Sequence, residues 1–402
     1  MSTTTSSPVP ASPVPDAVPT SGTAADPQPL TTSPDASLRA ARAAAARAEP
    51  TATPALAATH PLRRPLGVAI AVLVFALAAG VSSGPADLSL ATVARALIAH
   101  LPFVHLHGGV ARVQSEIVWQ VRMPRVALGA LVGAMLAGGG AAYQGVFRNP
   151  LADPYLLGVA AGAGLGATLV IVAGPGLHQL VPVAAFLGAA GAVVLTYLLG
   201  VGGTGTRGGR SRTTVAIVLA GVAVAAFLTA VQTYVQQRHT QDLQEVYTWI
   251  LGRLTTATWS DVAVVLPYAA ISALVLLLHR RHLDVLRVGE DEATTLGVHP
   301  ARVRIIVVAG ATVGTAAAVA FTGLIGFVGI IVPHIVRRTA GSSYRVVVPV
   351  SLVGGAAFLV LADIAARTVQ APTEIPIGIV TAFIGAPFFL FVLRSRRSQQ
   401  GV

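Results

Sequence analysis

The chain has 402 residues, of which 54% are hydrophobic and 11% charged, and a mean hydropathy of +0.72, which excludes an ordinary soluble domain and points to several membrane spans. Its formal net charge of +11 rests on arginine alone. With no lysine there is no phosphate-binding P-loop, Schiff base or lysine general base, and with no cysteine there are no disulfides, thiolate metal sites or cysteine nucleophiles.

Residues 1–65 are rich in Ser, Thr, Pro and Ala, contain no apolar run, and are expected to form a disordered cytoplasmic tail. The first apolar run starts near Leu66, too far from the start for a secretory signal peptide. From there the chain alternates apolar runs with short polar breaks, at about 66–83, 126–143, 155–173, 177–199, 213–235, 262–278, 305–321, 324–336, 346–362 and 376–393. Most have enough residues to cross ~30 Å of hydrocarbon at ~1.5 Å per residue. The pair over 305–336 reads either as one long tilted helix or as two crossings, with Gly323, Gly326 and Gly329 permitting a break.

Arginine placement decides between them. With ten crossings, seventeen arginines fall on one side, against Arg95, Arg112, Arg122, Arg125, Arg238, Arg253 and Arg367 on the other. That bias puts both termini in the cytoplasm. The expected architecture is an all-α integral membrane protein with ten transmembrane helices over 66–397 and a short tail at 398–402. Gly158, Gly162 and Gly166 recur every four residues, as do Gly129 and Gly133, and Gly310 and Gly314, a spacing that lets helices approach closely in lipid.

The most polar break is Asp284–Pro300, reading DVLRVGEDEATTLGVHP, with four of the sixteen acidic residues. Gly289 stands before three acids suited to a helix N-terminus, and Gly297 followed by Pro300 is a stop signal. A short capped helix of about two turns on the cytoplasmic side is predicted, set where it can be shown to a partner. On the outer side, Arg122 and Arg125 precede one span and Arg367 ends another. Each reads as a snorkelling arginine, with Asp363 four residues before Arg367 as a helical partner, or as part of a basic rim for an acidic partner. The histidines show no metal-ligand spacing, no nucleophile and base pair suggests catalysis, and the arginines follow membrane topology in place of a nucleic-acid stripe. No span carries a carboxylate near its middle, which offers little to an ion-coupled carrier.

Seven stretches carry a resemblance. They are VWQVRMPR at 118–125, QGVFRNPLADPYLLG at 144–158, LAGVAVA at 219–225, WILGRL at 249–254, VGEDEATTLGV at 288–298, GLIGFVGIIVPHIVRRTAG at 323–341 and ADIAARTVQAPTEIPIGIVTAFIGAPFF at 362–389. In their order and spacing they resemble the FecCD or BtuC-like permeases of binding-protein-dependent ABC importers for ferric siderophores, haem and vitamin B12. The resemblance covers about Leu66 to Arg397. It implies the BtuC-like type II importer fold, with helices 7–10 an inverted repeat of helices 2–5, in a bacterial cell membrane. It implies as partners a second permease copy or close paralogue, two cytoplasmic ATPase subunits and an extracytoplasmic binding protein. ATP and Mg would be bound by the ATPases, leaving this chain with no cofactor and no enzymatic site of its own.

Carried over by position, the ATPase-coupling helix, about 289–298, falls on Gly289, Glu290, Asp291, Ala293, Leu296 and Gly297. Binding-protein docking falls on Arg122, Arg125 and Arg367, and the translocation path and gate on Asn149, Leu151 and Thr214. Two features depart from the family pattern: the long N-terminal tail, and Gly252-Arg253 where members often have Gly-Ser. The cargo expected by family frequency is a ferric siderophore, with vitamin B12 or haem as alternatives. An ion-coupled secondary transporter and a non-transporting membrane scaffold are the competing classes.

Overall fold

A helix pairs the backbone groups along its interior, and long apolar runs can meet that demand in lipid without any partner strand. The computed structural model describes residues 62–84, 86, 88–99, 111–202 and 210–400, and regular structure among them is entirely helical. The expected N-terminal tail lies outside the described residues as far as residue 61. In chain order the helices are α1 (Arg63–Ser82), α2 (Leu90–Ala99), α3 (Arg112–Val146), α4 (Val159–Val172), α5 (Val181–Gly202), α6 (Arg210–Arg238) and α7 (Leu243–Ile250). They continue as α8 (Trp259–Leu286), α9 (Glu290–Thr295), α10 (Pro300–Thr322), α11 (Val328–Ala340), α12 (Tyr344–Thr368) and α13 (Ile377–Gln400).

Each of the ten apolar runs coincides with a helix. Seven of these, α1, α3, α5, α6, α8, α10 and α12, are long and apolar enough to cross a membrane. The other three are shorter: α4 has 14 residues, α11 has 13, and the apolar part of α13 is Ile377–Val392. The ambiguous pair over 305–336 resolves into two helices. Between α10 and α11 the backbone turns sharply, with Gly323 at φ +71° and Phe327 at φ +68°. Two short helices outside the spans, α2 and α7, were not expected. Residues 398–400, expected as a tail, continue α13.

Burial separates inner from outer helices. The apolar windows of α3, α10 and α12 are 78%, 72% and 67% buried, whereas those of α1, α6 and α8 are each 22% buried. The centre is α3, which packs against α8, α10, α11 and α12. Small residues make this possible: a Cβ on Gly133 would drive into the Gly355 carbonyl of α12, and one on Gly140 into the backbone of Gly329 in α11. The same holds in α4, where Gly162 abuts Gly188 of α5 and Gly166 abuts Ala184. Gly158, expected on that face, instead stands before the helix at φ +84°.

A long buried helix followed by a break and a short helix occurs twice, as α3 with α4 and as α10 with α11. After α3, the chain does not simply leave the bundle: Pro154 lies beside Gly139, seven residues back from the end of α3. The 3-10 turn Pro154–Leu157 thus runs within the bundle before α4 begins at Val159. This accounts for the shortness of α4, whose 14 residues span only about 21 Å.

Candidate functional site

At one end of the bundle, α9 hangs between α8 and α10. Asp284, near the end of α8, accepts from Ser343 Oγ at 2.7 Å and from the Tyr344 amide at 2.7 Å, so it caps α12. Arg287 donates to the Ser342 carbonyl at 2.8 Å. The segment entering α9 is therefore tied to the start of α12. Gly289 stands at the N-cap with φ +152°, where a Cβ would collide with the Glu292 side chain.

The far end of α9 closes as the sequence pattern requires. Gly297 takes φ +78°, the Val298 amide donates to the Ala293 carbonyl at 2.9 Å, and the Gly297 amide donates to Thr294 at 3.0 Å. The helix itself is six residues, shorter than the two turns predicted. Ala293 is fully buried and anchors it, while Asp291, Glu292, Thr295, Leu296 and Gly297 are exposed. Leu296 at 67% and Val288 at 68% exposure are large apolar side chains held out beside acids, on a rigid turn outside any span.

Glu290 behaves differently from its acidic neighbours. It turns inward to form a short ion pair with Arg304, a residue of α10 that is only 7% exposed, and its Oε1 also lies 3.8 Å from Arg148 Nη2. Arg148 belongs to the connection between α3 and α4, the segment that carries Asn149 and Leu151. There the Asn149 side chain accepts from the Leu151 amide at 3.0 Å, and the Asn149 carbonyl accepts from Ala152 at 3.0 Å, which makes a compact turn. Two predicted regions, far apart in sequence, thus meet through Glu290.

At the opposite end, Arg122, Arg125 and Arg367 are brought together. A π-helical turn, Ile117–Arg122, in which the Met123 amide reaches back to Val118, sets Arg122 beside the end of α1. There Arg122 donates to the carbonyls of Val81, Ser82 and Ala86 at 3.0, 2.8 and 2.6 Å, and Arg367 to those of Gly80 and Ser83 at 2.7 and 3.0 Å. Those of Gly80, Val81 and Ser82 are carbonyls that a helix end leaves without intrahelical partners. Arg125 forks between two carboxylates, meeting Asp363 at 2.8–3.1 Å and Glu374 at 2.8 and 2.9 Å. Arg367 Nε lies 3.4 Å from Asp363, the helical pair that their spacing of four suggested.

Glu374 lies in the link between α12 and α13 and also accepts from Thr255 at 3.0 Å. Partial burial alone would raise its carboxyl, but the hydrogen bonds and charge of Arg125, the Thr255 hydroxyl and the charge of Arg367 together hold it below the usual value.

The whole-chain comparisons decide the family. The FecCD transport family matches residues 71–395. The chain belongs to that family. It is 42% identical over 344 residues to the cobalamin import system permease protein BtuC of Halobacterium salinarum, covering 86% of this chain and 89% of that one. It is 37% identical to the iron(3+)-hydroxamate import system permease protein FhuB of Bacillus subtilis, covering 79% of each chain, and 37% identical to the hemin transport system permease protein HmuU of Yersinia pestis, covering 70% and 85%. Among solved structures, the inward-facing conformation of a metal-chelate type ABC transporter superposes with a TM-score of 0.70 at 27% identity, over 83% of this chain and 99% of that one.

As a FecCD permease, the chain is a multi-pass membrane subunit of an ABC importer for iron complexes, vitamin B12 or haem, working with ATPase and binding-protein partners and lacking an ATPase site itself. The predicted coupling residues Gly289, Glu290, Asp291, Ala293, Leu296 and Gly297 sit on one capped element, and Asn149 and Leu151 lie near it. Thr214 is in α6, and its side chain lies outside the described residues.

Arg122, Arg125 and Arg367, expected to meet a binding protein, are buried within this chain. They are 3%, 7% and 2% exposed, and each donates to groups of this chain, although Arg367 Nε makes no hydrogen bond. Two carboxylates and the carbonyls at the end of α1 draw them inward. Sequence reasoning missed Glu374, Arg148 and Arg304. No local pattern links Glu374 to a residue 249 positions earlier, whereas the charge of Arg304 at the edge of the apolar run 305–321 was a visible signal.

Proposed function

We propose that the chain, paired with a second copy of itself, forms the path of an importer for a bulky metal chelate, with α9 at the cytoplasmic face receiving one ATPase subunit and both termini on that side. The observation that carries this reading is α9 itself. A six-residue turn capped at both ends, anchored by Ala293 and displaying Leu296 and Val288, is a stiff handle for a partner that supplies work this lysine-free chain cannot. All ten apolar helices cross the membrane in this reading, with α4 and α11 short because the backbone between helices runs within the bundle.

The path passes the turn containing Asn149 and Leu151, with α6 and its Thr214 alongside. The binding protein docks at the opposite end. Arg122, Arg125 and Arg367 support that surface from beneath by fixing the end of α1 and the Glu374 link.

For the cargo, a corrinoid is the first reading and the ferric siderophore expected from family frequency is the second. The relative named for cobalamin is 42% identical, against 37% for those named for iron(3+)-hydroxamate and hemin. Reconstitution with the ATPases and binding protein tests both levels. ATP-driven uptake of labelled cobalamin that resists ionophores is the expected result. Uptake of ferric siderophore alone overturns the cargo, and uptake driven by an ion gradient without ATP overturns the importer class.

A further inference from the structure

Backbone that is not helical at membrane depth must find partners in neighbouring protein. The break between α10 and α11 finds an unusual one. The Tyr155 hydroxyl donates to the Ile325 carbonyl at 3.0 Å and accepts from the Ile325 amide at 3.1 Å, satisfying both backbone groups of one residue. Tyr155 is held in place from its own side, because Asp153 accepts from the Tyr155 amide at 2.9 Å and Pro154 lies against Gly139. Beside it, Gln144 donates to the Gly329 carbonyl at 2.9 Å, and a Cβ on Gly329 would crowd Asp153.

These contacts lie on a continuous route. Glu290 joins α9 to α10 through Arg304 near the start of that helix. The 23 residues of α10 carry the connection along the bundle to the break, at about 1.5 Å per residue. From there Tyr155 returns it to the connection after α3, four positions beyond Leu151. We propose that Tyr155 is a positioning residue that makes the turn bearing Asn149 and Leu151 follow α10 whenever α9 is displaced. The inference rests on the ATPase-coupled reading of α9 and adds the element that converts its motion into motion of the path.

The geometry also says why a tyrosine is required there. A phenylalanine would fill the same space yet leave both Ile325 groups without their partner, and an aliphatic side chain would lack the reach. With neither hydrogen bond, the far end of α10 would lose its tie to that turn, leaving the Arg148–Glu290 contact at the other end.

The absence of cysteine from the chain makes a direct test practical. A single Leu151→Cys variant carries a spin label, and the permease is assembled with its ATPases in lipid nanodiscs. Mg-ATP should then shift the label's spectrum when Tyr155 is present. In Tyr155→Phe most of the shift should be lost, because both hydrogen bonds go, while ATP hydrolysis continues. Tyr155→Leu, which lacks the reach as well as the hydroxyl, should reduce it at least as far. Equal shifts in the Tyr and Phe backgrounds overturn the positioning role and leave the importer reading standing. No shift in either background, with hydrolysis intact, overturns it as well. Loss of ATPase assembly in Tyr155→Phe alone assigns the residue to packing and overturns it too. Failure of the Tyr155 form to assemble with any ATPase instead sinks the importer reading.

Discussion

Arg125 and Glu374 face each other through two parallel hydrogen bonds, Nη1 to Oε1 at 2.8 Å and Nη2 to Oε2 at 2.9 Å, while the same guanidinium grips Asp363 from its other side. One arginine of α3 thereby joins α12 to the link before α13. Such bidentate pairs fix geometry as well as energy.

Removing Arg125 should expose what it balances. Asp363 is 2% exposed and would keep only Arg367 as a charged partner. Arg125→Leu is expected to destabilise the protein by about 3–5 kcal/mol, the range for a buried pair broken on one side. Arg125→Leu with Asp363→Leu should recover part of that loss. Thermal unfolding in detergent, compared across the cycle, measures the coupling.

Acid should loosen the same end. Because Glu374 is held below its ordinary value of 4.5, the stability it contributes is fully present above that value and is lost as the pH falls through its lower folded value. Glu374→Gln should therefore be less stable than the parent near neutrality, and the gap between them should close in acid. Parallel unfolding curves for the two proteins at every pH would contradict this account.

Close packing in the centre predicts a sharp contrast between glycines. Gly133→Val must displace the Gly355 backbone and should cost at least about 1–3 kcal/mol, whereas Gly191→Ala on α5 meets nothing within 4 Å and should be neutral or stabilising by ~0.5–1 kcal/mol. Melting temperatures of the two variants give the comparison.

On α9, the inward and outward residues should separate two effects. Leu296→Asp replaces a side chain 67% exposed, so the fold should be unchanged while ATPase association weakens tenfold or more, as for an apolar anchor at an interface. Glu290→Gln should leave that association largely intact but loosen α9 from α10, lowering transport per ATP hydrolysed. Binding isotherms and coupled uptake assays distinguish them.

Much of this was legible in the chain order of residues. The ten helical runs, the capped turn between Gly289 and Gly297, and the lack of any nucleotide-holding lysine follow from local patterns: apolar length, glycine where the backbone needs a positive φ, and residue types present or missing. Such features depend on a few neighbouring residues, so one strand of letters contains them.

What the tertiary structure decided is direction and partnership. Arginines that could be read as snorkelling or as an outer rim turn inward, because carbonyls at the end of α1 and the carboxylates of Asp363 and Glu374 converge on them. Glu290, read with Asp291 and Glu292 as acids suited to a helix N-terminus, separates from them because Arg304 lies beneath it. Tyr155 acquired meaning only when α10 broke at Gly323 and brought Ile325 within reach, 170 residues away. Burial makes such pairings strong, since an unpaired polar group inside the bundle has no water to fall back on, and no local pattern in a sequence records which distant group will meet that need.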